Sequence, residues 1–169
     1  MAEPVLTAYP DGRVVVLIRG DRPIYEAISD NGGLTWGPTV RTAMKGYPLR
    51  AILLKNGNIL CTYGYREVPG GARASISYDR GETWDLKNEI ILRDDIMANH
   101  WISPAGPHTV QLSDGTIFSA YNILRVTKMR KGDVITDNDF KVHRDKWHCY
   151  LAGSRYTEDY VRPVPWKKK

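Results

Sequence analysis

Little in this sequence marks a specialised class of protein. Only two cysteines, Cys61 and Cys149, occur in 169 residues, so they make one bridge at most and form no metal-ligand spacing. A disulfide framework is excluded. No run approaches the ~20 apolar residues of a membrane-spanning helix, and Met1–Pro10 lacks the basic-then-apolar layout of a secretory leader. Charge of one sign is scarce as well: of a net +5, Lys167–Lys169 carry three at the extreme end. The body is only mildly basic, which argues against nucleic acid or a membrane surface as partner. Also missing is a 3.6-residue apolar period, the mark of an amphipathic helix. Apolar residues at 42% and charged residues at 25% are globular values and exclude a disordered chain. Localisation stays open.

What the chain does have is an internal repeat. Ser29-Asp-Asn-Gly-Gly-Leu-Thr-Trp36 and Ser77-Tyr-Asp-Arg-Gly-Glu-Thr-Trp84 are two copies of one octapeptide, S-x-[D/N]-x-G-x-T-W. Upstream of each, an apolar run, a two-residue turn and a second apolar run recur. They read Val5–Tyr9, Asp11-Gly12, Arg13–Ile18 and then Ala51–Leu54, Asn56-Gly57, Asn58–Tyr63. A third copy is Thr109–Leu112, Asp114-Gly115, Thr116–Tyr121. Asp-Gly and Asn-Gly between β-branched and aromatic residues signal hairpins, because both turn positions favour positive φ. Four-stranded units repeating every ~40–50 residues characterise propeller blades. We therefore expect an all-β chain, a partial β-propeller of about three four-stranded antiparallel blades near residues 1–46, 47–99 and 100–169. A β-sandwich with chance similarity between two turns is the alternative. The third unit is irregular: it carries a polar insert, Asn122–Lys146, and its octapeptide has decayed around Arg155–Tyr160.

The octapeptide reads as a folding device. Its Ser and Asp side chains can accept backbone N–H bonds from the turn, its glycine supplies positive φ, and its Trp covers the turn. Asp79 is accordingly a turn carboxylate before it is an acid catalyst, and Asn31 stands in its place in the first copy.

The octapeptide resembles the Asp-box of the BNR repeat, found in sialidases (neuraminidases) and related six-bladed propellers. Glu3-Pro4-Val5, Pro10–Arg13, Val16–Arg19 and Ser29–Trp36 resemble one blade of bacterial sialidase-like proteins. Gly46-Tyr47-Pro48, Leu60–Arg66 and Ala72-Arg73-Ala74 resemble the next, and Val110–Tyr121 the last. The resemblance spans about residues 3–121 and implies the C-terminal three blades of six. It implies an exo-α-sialidase type of glycoside hydrolase that binds the carboxylate of an acidic sugar or glycan through an arginine cluster. No cofactor or metal is implied. The alternatives are a non-catalytic BNR propeller that binds carbohydrate or protein, and an inactive fragment. Three blades do not close a ring of six, so the expected partner is a missing propeller half or a second copy of the chain.

In a meander, the octapeptides and the Asp-Gly or Asn-Gly turns share one edge, and the opposite edge is left for function. That rim gathers Arg19, Arg50, Arg66 and Arg73 as candidate ligands for a carboxylate, with His108 beside them; guanidinium pairs with carboxylate in fixed planar geometry. By the resemblance, Glu3 stands where the family has the glutamate that serves as base to a catalytic tyrosine. Arg19 and Arg50 resemble carboxylate-binding arginines. The tyrosine itself is expected before the third inner strand, where the sequence reads Ser103–His108, so Tyr121 is the nearest candidate on that edge. Asp21 is the stand-in for the acid/base aspartate. His100 and Trp101 fall on the same rim. His143 and His148 fall on opposite faces of a strand and share no metal, and Cys149 reads as an inert thiol.

Overall fold

Short strand-forming runs separated by glycine turns give eleven strands among the described residues. The computed structural model describes residues 2–67, 69–96, 107–126 and 147–159. The strands are β1 (Ala2–Ala8), β2 (Val14–Arg19), β3 (Pro23–Ser29) and β4 (Val40–Lys45), then β5 (Leu49–Leu53), β6 (Ile59–Tyr65), β7 (Gly70–Ser77) and β8 (Ile90–Ile96). A third set is β9 (His108–Gln111), β10 (Ile117–Val126) and β11 (Trp147–Tyr156). Each set forms its own antiparallel sheet, in the orders β1-β2-β3-β4, β5-β6-β7-β8 and β9-β10-β11. Among the described residues no helix is long and apolar enough to cross a membrane.

The sheets stack as blades, with the first strands β1, β5 and β9 adjacent in series. Two apolar seams hold them. Leu17, Ile24 and Met44 of the first blade meet Leu49, Cys61 and Tyr63 of the second. Leu54, Leu60, Ala74, Ile76 and Ile90 of the second meet Ile117 and Tyr156 of the third. A polar chain threads the second seam: Thr62 Oγ1 donates to the Pro107 carbonyl at 3.1 Å, and Thr62, Thr109, Ser119 and Tyr156 share hydroxyl bonds of 2.8–3.0 Å. Buried hydroxyls linked in this way satisfy one another. The architecture is that of a partial propeller.

The two octapeptides fold alike. Ser29 Oγ accepts the Gly33 N–H at 2.9 Å, and Ser77 Oγ accepts that of Gly81 at 2.8 Å. Asn31 Oδ1 takes the Thr35 N–H at 2.9 Å; Asp79 Oδ1 takes that of Thr83 at 2.8 Å. Burial alone would raise the Asp79 carboxyl, but the bonds from Thr83 and Ser77 outweigh it and hold the group below its ordinary value. These interactions turn β3 into β4 and β7 into β8. The third sheet, in which four strands were expected, has three among the described residues, and the octapeptide that would deliver a fourth has no counterpart there. Most of the insert Asn122–Lys146, together with His100, Trp101, His143 and Lys167–Lys169, lies outside the described residues.

Candidate functional site

The rim opposite the octapeptides is formed by the start of β1, the β2–β3 and β6–β7 turns, and the β4–β5 connection. That connection is pressed tightly onto β6. Gly46 has φ +148°, and a Cβ there would collide with the Gly64 carbonyl and the Tyr63 ring. Only glycine allows this approach. The Tyr47 N–H then bonds the Gly64 carbonyl at 2.9 Å, and the Gly64 N–H bonds the Pro48 carbonyl at 3.1 Å. Tyr47 is thereby fixed at the rim.

Two arginines close on its ring. The Arg19 guanidinium carbon lies 3.9 Å from the Tyr47 centroid and that of Arg66 4.2 Å. A guanidinium over an aromatic face is attracted by the ring quadrupole, by ~0.5–2 kcal/mol according to burial. Arg19 also donates to Glu3 Oε1 at 2.7 Å. Glu3 sits in a β-bulge between Ala2 and Pro4, with φ +53°. A non-glycine residue in the left-handed region carries strain, and such strain concentrates at functional positions. The Arg66 cation is disfavoured chiefly by burial; Tyr47 favours it by more than Arg19 repels it, and Glu3 favours it further.

Arg73 belongs to a different network. It faces Tyr63 across the β6–β7 pair, pairs with Glu89 at 2.5 Å, and stacks 3.5 Å over the Tyr65 ring. Tyr63 donates to the other Glu89 oxygen. Burial first, then the Glu89 charge and hydrogen bond, push the Tyr63 hydroxyl well above its ordinary pKa. The Arg73 side chain is 14% exposed; one guanidinium nitrogen pairs with Glu89, another donates to the Pro69 carbonyl at 3.5 Å, and Nε has no partner among the described residues. Nearer the rim, the Tyr65 hydroxyl bonds Glu67, which has Lys45 at 3.6 Å and Arg22 at 3.9 Å.

The remaining candidates disperse. Arg50 shares the β5–β6 face of Thr62, which is turned to the third blade, and its guanidinium donates to the Leu49 carbonyl at 2.8 Å. His108 is exposed at the start of β9, on the face opposite Thr109. Asp21 is exposed in the β2–β3 turn. Tyr121 is 5% exposed, packs on Ala72, and shares a 2.8 Å hydroxyl bond with Ser154. The fold thus unites Glu3, Arg19 and Arg66, and adds Tyr47, which sequence reasoning missed. A signal was available in Gly46-Tyr47-Pro48, a rigid connection on the same rim as the arginines.

The described residues also carry a cleft of about 620 Å³ on the opposite edge, bordered by Glu26, Trp36, Val40 and Glu82. It lies at the octapeptides, away from the arginines. Among the described residues no group of His, Cys, Asp and Glu could hold a metal ion.

No protein-family model matches the chain, and no curated protein matches it. Solved structures do. A protein of unknown function from Dyadobacter fermentans is 26% identical with a TM-score of 0.62, and the match covers 95% of this chain and 38% of that one. The GH93 α-L-arabinofuranosidase of Fusarium graminearum, solved with arabinobiose, is 15% identical with a TM-score of 0.58, covering 91% of this chain and 44% of that one. A mutant of the NanB sialidase of Streptococcus pneumoniae is 15% identical with a TM-score of 0.48, covering 70% and 20%. The chain therefore spans less than half the length of these structures, and what it shares with the first two is the propeller fold.

Proposed function

We propose that this chain forms part of a sialidase-like glycoside hydrolase propeller and binds the carboxylate of an acidic sugar at the rim. The observation that carries the reading is the pair Arg19 and Arg66 on one tyrosine ring, with Glu3 held against Arg19 in a strained bulge. Two guanidiniums brought to one aromatic ring concentrate positive charge at the rim, which favours an anionic sugar over a neutral one. Arg73 stands behind them as a supporting residue, committed to Glu89. Arg50, Asp21 and His108 remain peripheral candidates. The hydroxyl of Tyr121 is engaged by Ser154, so the proposal assigns it no nucleophilic role.

The test is calorimetric titration with N-acetylneuraminic acid, with uncharged arabinobiose as control and turnover of a sialoside as a second readout. The acidic sugar should bind saturably, arabinobiose should not, and Arg19→Ala should weaken binding at least about tenfold, as loss of a charge-assisted bond implies. Absence of binding, or equal binding by Arg19→Ala, overturns the proposal. Binding unchanged by Glu3→Gln and unaccompanied by turnover selects the non-catalytic propeller instead.

A further inference from the structure

The cleft of about 620 Å³ on the octapeptide edge lies at the outer end of the first seam, and both blades of that seam supply its walls. Glu26 and Ile28 reach it from the face of β3 that carries Ile24, the face packed toward the second blade. Trp36, Pro38 and Val40 enter from the end of the first octapeptide and the chain leading into β4, and Glu82 enters from the second octapeptide. Trp36 is 42% and Val40 49% exposed, so part of this apolar wall is open. Concave sites of ~300–1,000 Å³ that combine an apolar wall with a few converging polar groups suit one small molecule.

Glu26 sets the chemistry. It is 3% exposed, and one of its carboxyl oxygens accepts the Trp84 indole N–H at 2.7 Å. The other has no hydrogen-bond partner among the described residues and is not sealed from solvent, so its opening is the cleft that Glu26 lines. Asp30 and Glu82 bring two more carboxylates to the same cleft, and both pair with the Arg13 guanidinium. Three carboxyl groups thus share one guanidinium, which leaves the cleft short of positive charge. A carboxylate buried as deeply as Glu26 is costly unless a cation pairs with it. Among the described residues no group of His, Cys, Asp and Glu could hold a metal ion, so the geometry favours an organic cation.

We infer that this cleft binds a small organic amine, its apolar body against Ile28, Trp36, Pro38 and Val40 and its ammonium on the unpaired oxygen of Glu26. The site shares no residue with the rim and stands apart from the acidic-sugar reading. An ammonium supplies both the missing donor and the counter-charge, and a charge-assisted bond of this kind is stronger than a neutral one. Binding is therefore tied to pH. Burial raises the Glu26 carboxyl to about 7; the Trp84 bond opposes this, Glu82 and Asp79 add to it, and Arg13 opposes it. The Cys61 thiol, which also feels Glu26, stays protonated throughout that range. Affinity for an amine rises as pH rises through about 7, because Glu26 then gives up its proton.

Calorimetric titration of the whole chain with phenethylamine tests this, with 2-phenylethanol as the uncharged control. At pH 8 the amine should bind saturably with a Kd of about 1 mM or below, and the alcohol at least about tenfold more weakly. Lowering the pH to about 5.5 should weaken amine binding about tenfold or more. Glu26→Gln keeps an acceptor for the Trp84 indole; it should bind the amine at least about tenfold more weakly at pH 8 and lose the pH dependence. Val40→Lys sets a fixed ammonium into the exposed part of the wall and should block the amine with Glu26 intact. Circular dichroism checks that each variant keeps its sheets. Should Glu26→Gln lose them, Val40→Lys and the pH series of the parent carry the reading. Absence of saturable binding, equal binding of the alcohol, indifference to pH, or full affinity in a folded Glu26→Gln or Val40→Lys overturns the inference.

Discussion

Glu26 is the residue whose environment departs most usefully from its sequence. It lies in β3 on the same face as Ile24 and Ile28, and the seam leaves it 3% exposed against Trp84. Burial raises its carboxyl pKa to about 7; the Trp84 bond opposes this, and Glu82 and Asp79 add to it. The sign of the linkage follows. Below the ordinary value of 4.5 both folded and unfolded chains hold the proton; between 4.5 and about 7 only the folded chain holds it. Folding is therefore progressively penalised as pH rises through that window. Glu26→Gln removes the titration and keeps an oxygen to accept the indole N–H. The variant should match the parent near pH 4.5 and exceed its stability at pH 8 by on the order of 2 kcal/mol in urea melts. Equal stability at both pH values would contradict the assignment.

Among the elements, β7 and β8 show how one small residue sets a register. Their pairing shifts between Gly70 and Ala72 and again between Ala72 and Arg73. At this irregularity Gly71 lies so near the Arg93 carbonyl that an added Cβ would overlap it. The blocking atom is backbone, so no side chain can move aside. Gly71→Ala should destabilise the chain by roughly 3 kcal/mol, the upper part of the overpacking range. It should also disturb Arg73 and Glu89, whose pairing depends on that register. Thermal unfolding measures the first effect. Retention of the parent melting temperature would show that the strands separate freely at this point.

At the scale of the whole molecule, the seams between blades carry the stability. Cys61 lies in the first seam, fully buried, and burial pushes its thiol far above the ordinary pKa, with the Glu26 charge reinforcing the effect. A thiol that is both inaccessible and protonated does not react. In a Cys149→Ser background, Cys61 should resist thiol reagents in buffer and react only as fast as the first and second blades part. Rapid labelling of the folded chain would mean that the seam opens independently of global unfolding.

The repeat, the hairpin turns and the folding role of the octapeptides are legible in the sequence. Each rests on local chemistry: turn residues that want positive φ, alternation with period two, and side chains that bond backbone two to four residues away. Gly12, Gly57 and Gly115 adopt positive φ, but Asp11, Asn56 and Asp114 before them do not, so the expectation of positive φ at both turn positions holds at the glycines alone; Asp79 does bond its own turn. The candidate site is less legible. Alternation tells which residues share a face, but not which face meets which neighbour. Strand pairing within the second and third blades set Arg73 onto Glu89 and Tyr121 against Ser154, and only the stacking of blades aimed the Arg50 face at the third blade and brought Arg19 and Arg66 to Tyr47. By itself the sequence determined strands, turns and their repetition, because those depend on neighbours along the chain. The tertiary structure alone decided which charges are available at the rim, because partners such as Arg19 and Arg66 come from different blades and meet only when the seams form.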